Sequence, residues 1–137
     1  MVERDVVLAK VAAIDRCLGR VRQATGLDPA SLDDPDRQDI FVLNLERAVQ
    51  AAIDLAVHVV ATSAWGLPDT LRENFRILEA HGVITPGLAA RMRAMVGFRN
   101  VAVHDYQAID VAVLRSILTS RLGDLEEFCR AVVAFLP

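Results

Sequence analysis

Apolar residues recur at intervals of three and four along most of the chain, a spacing that places them on one face of an α-helix. The first such stripe predicts a helix from about residue 2 to residue 24, and its members are Val7, Val11, Ile14, Leu18 and Val21. The segment LDPASLDDPD then predicts a break, because its prolines, aspartates and serine favour turns and helix caps.

The second predicted helix is long, from about residue 36 to residue 63. One apolar stripe consists of Phe41, Leu45, Ala48, Ala52, Leu55 and Val59, and a second of Val42, Val49, Ile53, Ala56 and Val60. Two adjacent stripes form a face that is too wide for a single neighbouring helix. We therefore expect this helix to lie centrally in the fold or to meet a second subunit.

The rest of the chain predicts further helices. Pro68 suits the first turn of a third helix, with Leu71, Phe75 and Leu78 on its inner face and Gly82 as its C-terminal cap. Thr85 and Pro86 suit the start of a fourth helix. The last helix is predicted from about residue 110 to residue 135. The sequence thus predicts an all-α fold, an antiparallel bundle of four to five helices in a single domain spanning residues 1–137.

Composition supports a folded protein, because 53% of the residues are hydrophobic and 24% are charged, the opposite of a disordered chain. Cys17 and Cys129 have no metal-like spacing, so we expect free thiols in a cytoplasmic protein. The most apolar stretch, 48–65, is interrupted by Asp54 and His58, so no membrane span is expected. We expect these two residues to share a core hydrogen bond, and we expect no metal site.

The charge distribution is uneven. The formal net charge is −3, which argues against nucleic-acid binding on bulk electrostatics. However, the segment between Ala80 and His104 contains no acidic residue and holds Arg91, Arg93 and Arg99. The arginines of this segment either serve a function, such as nucleic-acid binding, or cluster by chance in a chain that is rich in arginine.

Arg99 occupies an unusual position in the fourth helix. It continues the apolar stripe formed by Leu88, Met92 and Met95. A guanidinium on a buried stripe is costly unless it meets an anion or opens onto a cleft. Alternatively, Arg99 pairs with an internal carboxylate or extends to solvent at a helix end.

His104 follows Arg99 by five positions, an offset of about 140° around a regular helix. The two side chains would therefore not share a face. For both to reach one substrate, the helix must end or bend near Val103, or a second protomer must complete the site.

The segment GFRNVAVHDY resembles the R-x4-H-x-Y signature of HepT-like HEPN toxins, with Arg99, Asn100, His104 and Tyr106 at its polar positions. The segments LNLERAVQAAIDLAVHVVA and GLPDTLRENFRILEAHGVI are also similar to that family, so the resemblance runs from about residue 39 to the end of the motif. It implies a helical bundle of the HEPN type and a metal-independent ribonuclease toxin that uses no cofactor.

The resemblance implies a division of roles that the chemistry of RNA cleavage supports. His104 would transfer protons, Arg99 would bind the phosphate, and Asn100 would orient either group. The products would be a 2′,3′-cyclic phosphate and a 5′-hydroxyl. The family also implies a homodimer, which would supply a second histidine and pool Arg91 and Arg93 with Arg99 in a groove for RNA.

For Tyr106, the resemblance implies a regulatory role. An MntA-like nucleotidyltransferase antitoxin would transfer AMP from ATP to this tyrosine, and the added negative charge would compete for Arg99. A tyrosine that simply packs at a helix junction is the alternative interpretation.

Two other functions are compatible with the same residues. The chain could be a non-catalytic helical subunit that docks a minimal nucleotidyltransferase, in which Arg99 would still bind phosphate. It could also be a purely structural bundle, but that interpretation leaves Arg99 on the apolar stripe unexplained.

Overall fold

A computed structural model describes residues 2–137, and within them the regular secondary structure is all helical, without β-strands. Six α-helices follow one another: α1 (Arg4–Thr25), α2 (Pro35–Thr62), α3 (Glu73–Ala80), α4 (Pro86–His104), α5 (Val111–Ser120) and α6 (Leu122–Phe135). Short 3-10 helices, Pro29–Asp33 and Tyr106–Ala108, connect α1 to α2 and α4 to α5. The predicted all-α bundle is confirmed.

The long helix α2 is the centre of the fold. It packs along α1 and also contacts α3, α4 and α6. Both of its apolar stripes are buried, and Phe41, Leu45 and Ala52 have no exposed surface. The prediction of a central helix is therefore confirmed, and a second subunit is not needed to cover the wide apolar face.

The third helix begins later than predicted. Residues 66–72 are not helical, α3 starts at Glu73, and Leu71 is 42% exposed rather than on an inner face. The Thr70 hydroxyl accepts a hydrogen bond from the Glu73 backbone N–H at 3.3 Å, which favours a helix that starts after Thr70. Phe75 is buried as predicted, and its ring packs edge-on against Phe128 of α6 with centroids 5.5 Å apart.

The predicted last helix is in fact two helices, so the bundle has six helices instead of four or five. The break lies at Arg121, between α5 and α6. Thr119 and Ser120 donate side-chain hydrogen bonds to carbonyl groups of the preceding turn, a pattern that bends helices. Gly123 lies two residues after Arg121 and has low helix propensity.

Within residues 2–137, no helix combines the length and the apolar character needed to cross a membrane. Both cysteines are free over the same range, Cys17 half-buried and Cys129 buried, which confirms that prediction. Burial and the nearby carboxylates of Asp15 and Glu126 raise the pKa of Cys129 to about 12.

Candidate active site

Helix α4 carries the motif residues at its C-terminal end. The helix begins as predicted, because the Thr85 hydroxyl accepts a hydrogen bond from the Leu88 N–H at 3.2 Å and Pro86 is the first helical residue. Three side chains of one stripe fix the helix against the core, namely the buried Leu88, Met92 and Met95. This anchoring determines which way the residues at the far end of α4 face.

Arg99 is half-buried and lacks an anionic partner. Its Nη1 atom donates a long hydrogen bond of 3.4 Å to Oδ1 of Asn100. Its Nε atom is buried and has no hydrogen-bond partner among residues 2–137. In the same part of the chain no carboxylate lies within ion-pair distance of Arg99, so the alternative of an internal ion pair is wrong. A buried, unpaired guanidinium nitrogen is costly, and an external anion would satisfy it.

His104 is exposed and is the last residue of α4. The helix thus ends one residue beyond Val103, close to the expected position, but His104 itself is still helical. On a regular helix the two residues are about 140° apart around the axis and about 7.5 Å apart along it. One chain therefore presents Arg99 and His104 on different faces of α4, which leaves the second-protomer alternative for bringing them together.

Arg72 is a candidate site residue that the sequence analysis did not identify. Its guanidinium lies so close to Gly97 that a Cβ at Gly97 would be 2.6 Å from its Nη2 atom. Gly97, Asn100 and His104 follow one another at intervals of three and four, so they share a face of α4. Arg72 thus places a positive charge on the side of the helix that carries the imidazole. The only signal in the sequence was a glycine inside a helix, next to the motif.

Tyr106 lies in the short 3-10 helix that follows α4 and is 42% exposed. Its hydroxyl donates a short hydrogen bond to Oδ1 of Asp39, at the start of α2. Partial burial, this hydrogen bond and the negative charge of Asp39 together raise the pKa of Tyr106 to about 12. The contact fixes the phenol beside a carboxylate that can accept its proton. The sequence interpretation also missed Asp39.

Asp39→Asn is expected to lower the pKa of Tyr106, because the variant removes the carboxylate that stabilises the protonated phenol. The midpoint should fall below the value of about 12 but stay above 10, since partial burial is the largest cause of the shift and remains. Absorbance near 295 nm measures the titration, and Tyr106 is the chain's only tyrosine.

Because the raised pKa of Tyr106 favours the folded state, its contribution to stability is complete below pH 10 and is lost as the pH rises through about 12. Asp36→Asn is the matched control and should leave the midpoint unchanged.

Arg91 and Arg93 make contacts inside the chain. Arg91 binds Asp124 at 2.7 Å and Glu127 at 3.2 Å, both on α6. Arg93 lies 3.9 Å from Glu79 of α3. These contacts tie Arg91 to α6 and bring Arg93 near α3, although Nη1 of Arg93 is buried without a hydrogen bond among residues 2–137. A role of the two arginines in an RNA groove stays a prediction.

Arg91→Ala is expected to lower the free energy of unfolding by about 3 kcal/mol, because it leaves the buried Asp124 carboxylate without its partner. Urea denaturation measures this change. Arg115→Ala is the control, since it breaks a half-exposed ion pair with Asp33 and should cost less than about 1 kcal/mol. Equal losses in both variants would contradict a structural role for Arg91.

Metal-binding groups are dispersed. Across residues 2–137 there is no cluster of three or more His, Cys, Asp or Glu side chains that could hold a metal ion.

The prediction of a hydrogen bond between Asp54 and His58 is wrong. Asp54 instead binds Lys10 at 3.0 Å, and Nε2 of His58 accepts a hydrogen bond from the Glu3 N–H at 3.1 Å.

Comparisons with known proteins agree on one family. The family described as Ribonuclease HepT-like matches residues 14–132. The chain is 35% identical over 130 residues to an mRNA nuclease HepT of Shewanella oneidensis, covering 95% of this chain and 98% of that protein. It is 27% identical over 139 residues to a tRNA nuclease HepT of Aphanizomenon flos-aquae, covering 98% of this chain and 92% of the relative.

Solved structures are similar along nearly the whole chain. One is the tri-AMPylated Shewanella oneidensis HEPN toxin in complex with an MNT antitoxin, at a TM-score of 0.90 and 34% identity, covering 96% of this chain and 99% of that one. Another is a toxin–antitoxin complex with AMP-PNP, with the same TM-score, identity and coverage.

Proposed function

The chain belongs to the HepT-like ribonuclease family, and on that premise we propose that it is a metal-independent endoribonuclease toxin with Arg99 and His104 as its catalytic residues. The observation that carries the proposal is the state of Arg99. Its guanidinium is half-buried, has an unpaired Nε atom and has no carboxylate partner within residues 2–137. A phosphate group would supply the missing anion, and guanidinium binds phosphate oxygens in a bidentate manner.

The proposed reaction uses the RNA's own 2′-hydroxyl as the nucleophile. An imidazole accepts the 2′-hydroxyl proton, and the oxygen attacks the adjacent phosphorus. The bond to the 5′-oxygen breaks as that oxygen takes up a proton from the imidazolium or from water. Arg99 stabilises the charge on the non-bridging oxygens, and Asn100, which contacts Arg99, orients it. The products are a 2′,3′-cyclic phosphate and a 5′-hydroxyl.

A homodimer would complete this site, because one chain places His104 on a different face of α4 from Arg99. Apolar surface beside the motif supports this assembly. Val101, Val103 and Val113 are each more than 40% exposed. Next to them, an apolar groove of about 410 Å³ between α4 and α5 is lined in part by Met95 and Phe98. A second copy seated there would cover these side chains and bring two motifs together.

Tyr106 is the proposed site of neutralisation by an MntA-like nucleotidyltransferase antitoxin that holds ATP. The phenol oxygen attacks the α-phosphorus of ATP, pyrophosphate leaves, and Asp39 takes the phenol proton. The relative in complex with its antitoxin is tri-AMPylated, which supports this chemistry. Each AMP unit adds a phosphate two residues from His104, where it competes with RNA for Arg99.

Cleavage of RNA in excess EDTA tests the proposed reaction. The purified protein should cut RNA without added metal, and the 5′ fragments should end in a cyclic phosphate that acid opens. Cleavage that stops in EDTA and returns with Mg²⁺ would contradict the metal-independent reaction. No cleavage under either condition, with AMP transfer intact, would favour a non-catalytic subunit that docks the nucleotidyltransferase.

A further inference from the structure

A second basic surface is formed by residues outside the motif, in an open groove of about 780 Å³ between α1 and α2. The two helices run antiparallel, since Lys10 of α1 binds Asp54 of α2, and the backbone N–H of Glu3, just before α1, donates a hydrogen bond to His58, further along α2. The groove therefore lies between the C-terminal half of α1 and the N-terminal half of α2. We refer to it as the α1–α2 groove, and its walls include Arg16, Cys17, Arg20, Leu43, Asn44 and Arg47.

The α1–α2 groove carries three positive charges that no carboxylate balances. Arg16, Arg20 and Arg47 are exposed, and none of the residues lining the groove is acidic. Among residues 2–137, none of the three lies within ion-pair distance of a carboxylate. Three free guanidinium groups in one groove of a protein with net charge −3 indicate an anionic ligand.

One end of the groove lies beside Tyr106. Asp39, Leu43 and Arg47 are spaced by four residues and so share a face of α2. Tyr106 is hydrogen-bonded to Asp39, the first of these residues. Leu43 is 45% exposed and gives the groove an apolar patch between the phenol and Arg47. The groove wall includes Ile40, next to Asp39, so this end of the groove lies close to the segment that carries the motif.

We propose that the α1–α2 groove binds the sugar–phosphate backbone of the RNA substrate beside the cleavage site. This inference rests on the proposed ribonuclease function and names a binding surface for it. The three arginines contact successive phosphates without reading sequence, and Leu43 packs against a ribose or a base. An AMP unit on Tyr106 would then enter the end of the same groove and displace the RNA strand.

Fluorescence anisotropy with a labelled single-stranded RNA tests the groove. The measurement uses full-length His104→Ala protein, which holds RNA without cutting it. Adding Arg20→Gln and Arg47→Gln should weaken binding about tenfold and reduce the slope of log affinity against log salt by about 1.4, since each phosphate contact contributes about 0.7 on single strands. The matched control is Arg4→Gln with Arg130→Gln, which removes the same charge from exposed positions outside the groove and should change affinity less than twofold.

Three outcomes would overturn the inference. The groove variant could bind RNA with unchanged affinity and salt slope. It could weaken RNA binding no more than the control pair does, which would indicate a general charge effect. It could leave RNA binding intact but lose binding to the nucleotidyltransferase or the homodimer, which would make the groove a protein interface. Cleavage by the parent protein is measured separately, so a failure of the groove is distinct from a failure of the ribonuclease function.

Discussion

His104→Ala and Arg99→Ala will each reduce the rate of RNA cleavage by about a hundredfold to ten-thousandfold, the range for removing a proton-transfer group or a preorganised charge. Alanine at position 104 removes the group that moves protons to and from the ribose and leaving oxygens. Alanine at position 99 removes the cation that meets the phosphate. Single-turnover cleavage of a labelled RNA measures the chemical step without product release.

Neither substitution should disturb the fold. His104 is exposed at the end of α4, and Arg99 has no ion pair to lose within residues 2–137. His81→Ala is the control for the imidazole, because His81 is also exposed and lies outside α4; Arg130→Ala is the control for the guanidinium. Both controls should cleave RNA at the parent rate. Equal activity in His104→Ala and the parent would contradict the catalytic assignment.

Tyr106→Phe will keep cleaving RNA when the antitoxin and ATP are present. Under the same conditions, the cleavage rate of the parent protein will fall at least about tenfold. Phenylalanine preserves the ring but lacks the oxygen that receives AMP, so no phosphate can be placed near Arg99. Intact mass measures the modification, since the parent should gain whole AMP units and Tyr106→Phe none. The lost hydrogen bond to Asp39 lies outside the proposed chemistry of cleavage, so unmodified Tyr106→Phe should cut RNA at nearly the parent rate.

Two results would contradict regulation at Tyr106. The first is an AMP unit found on another residue of Tyr106→Phe, with inhibition retained. The second is full inhibition of Tyr106→Phe by the antitoxin without ATP, which would show that binding alone blocks the site. A growth assay with both genes expressed gives the same comparison in cells, because Tyr106→Phe should stay toxic where the parent is neutralised.

The helices that follow a clear pattern could be predicted from sequence. Helices α1 and α2 have regular apolar stripes, and the structure has them within two residues of the predicted bounds. Helix α4 starts at Pro86 after the cap Thr85, as predicted. The sequence predicts too early a start for α3 because Pro68 suits a first turn, whereas the helix begins at Glu73, whose N–H donates a hydrogen bond to the Thr70 hydroxyl. The break at Arg121 was missed because the apolar stripe continues across it.

The motif could be found from sequence because its residues lie close together in the chain, between Arg99 and Tyr106. The partners of those residues could not, since they depend on how distant helices pack. Asp39 lies 67 positions from Tyr106, and Asp124 lies 33 positions from Arg91. Arg72 reaches Gly97 only through the fold of the segment before α3. Charge counted along the chain could therefore not show that Arg91 pairs with Asp124, or that Arg16, Arg20 and Arg47 line one groove.

The most direct test of the account is to mix Arg99→Ala and His104→Ala protein and measure RNA cleavage after the subunits exchange. If the two groups meet across a two-fold axis, each mixed dimer contains one arginine and one histidine that can serve one site. Activity should then rise from the background of either variant to about a quarter of the parent value, with half of the dimers mixed and one of their two sites intact. No recovery, although native mass spectrometry detects mixed dimers, would contradict a site shared between protomers.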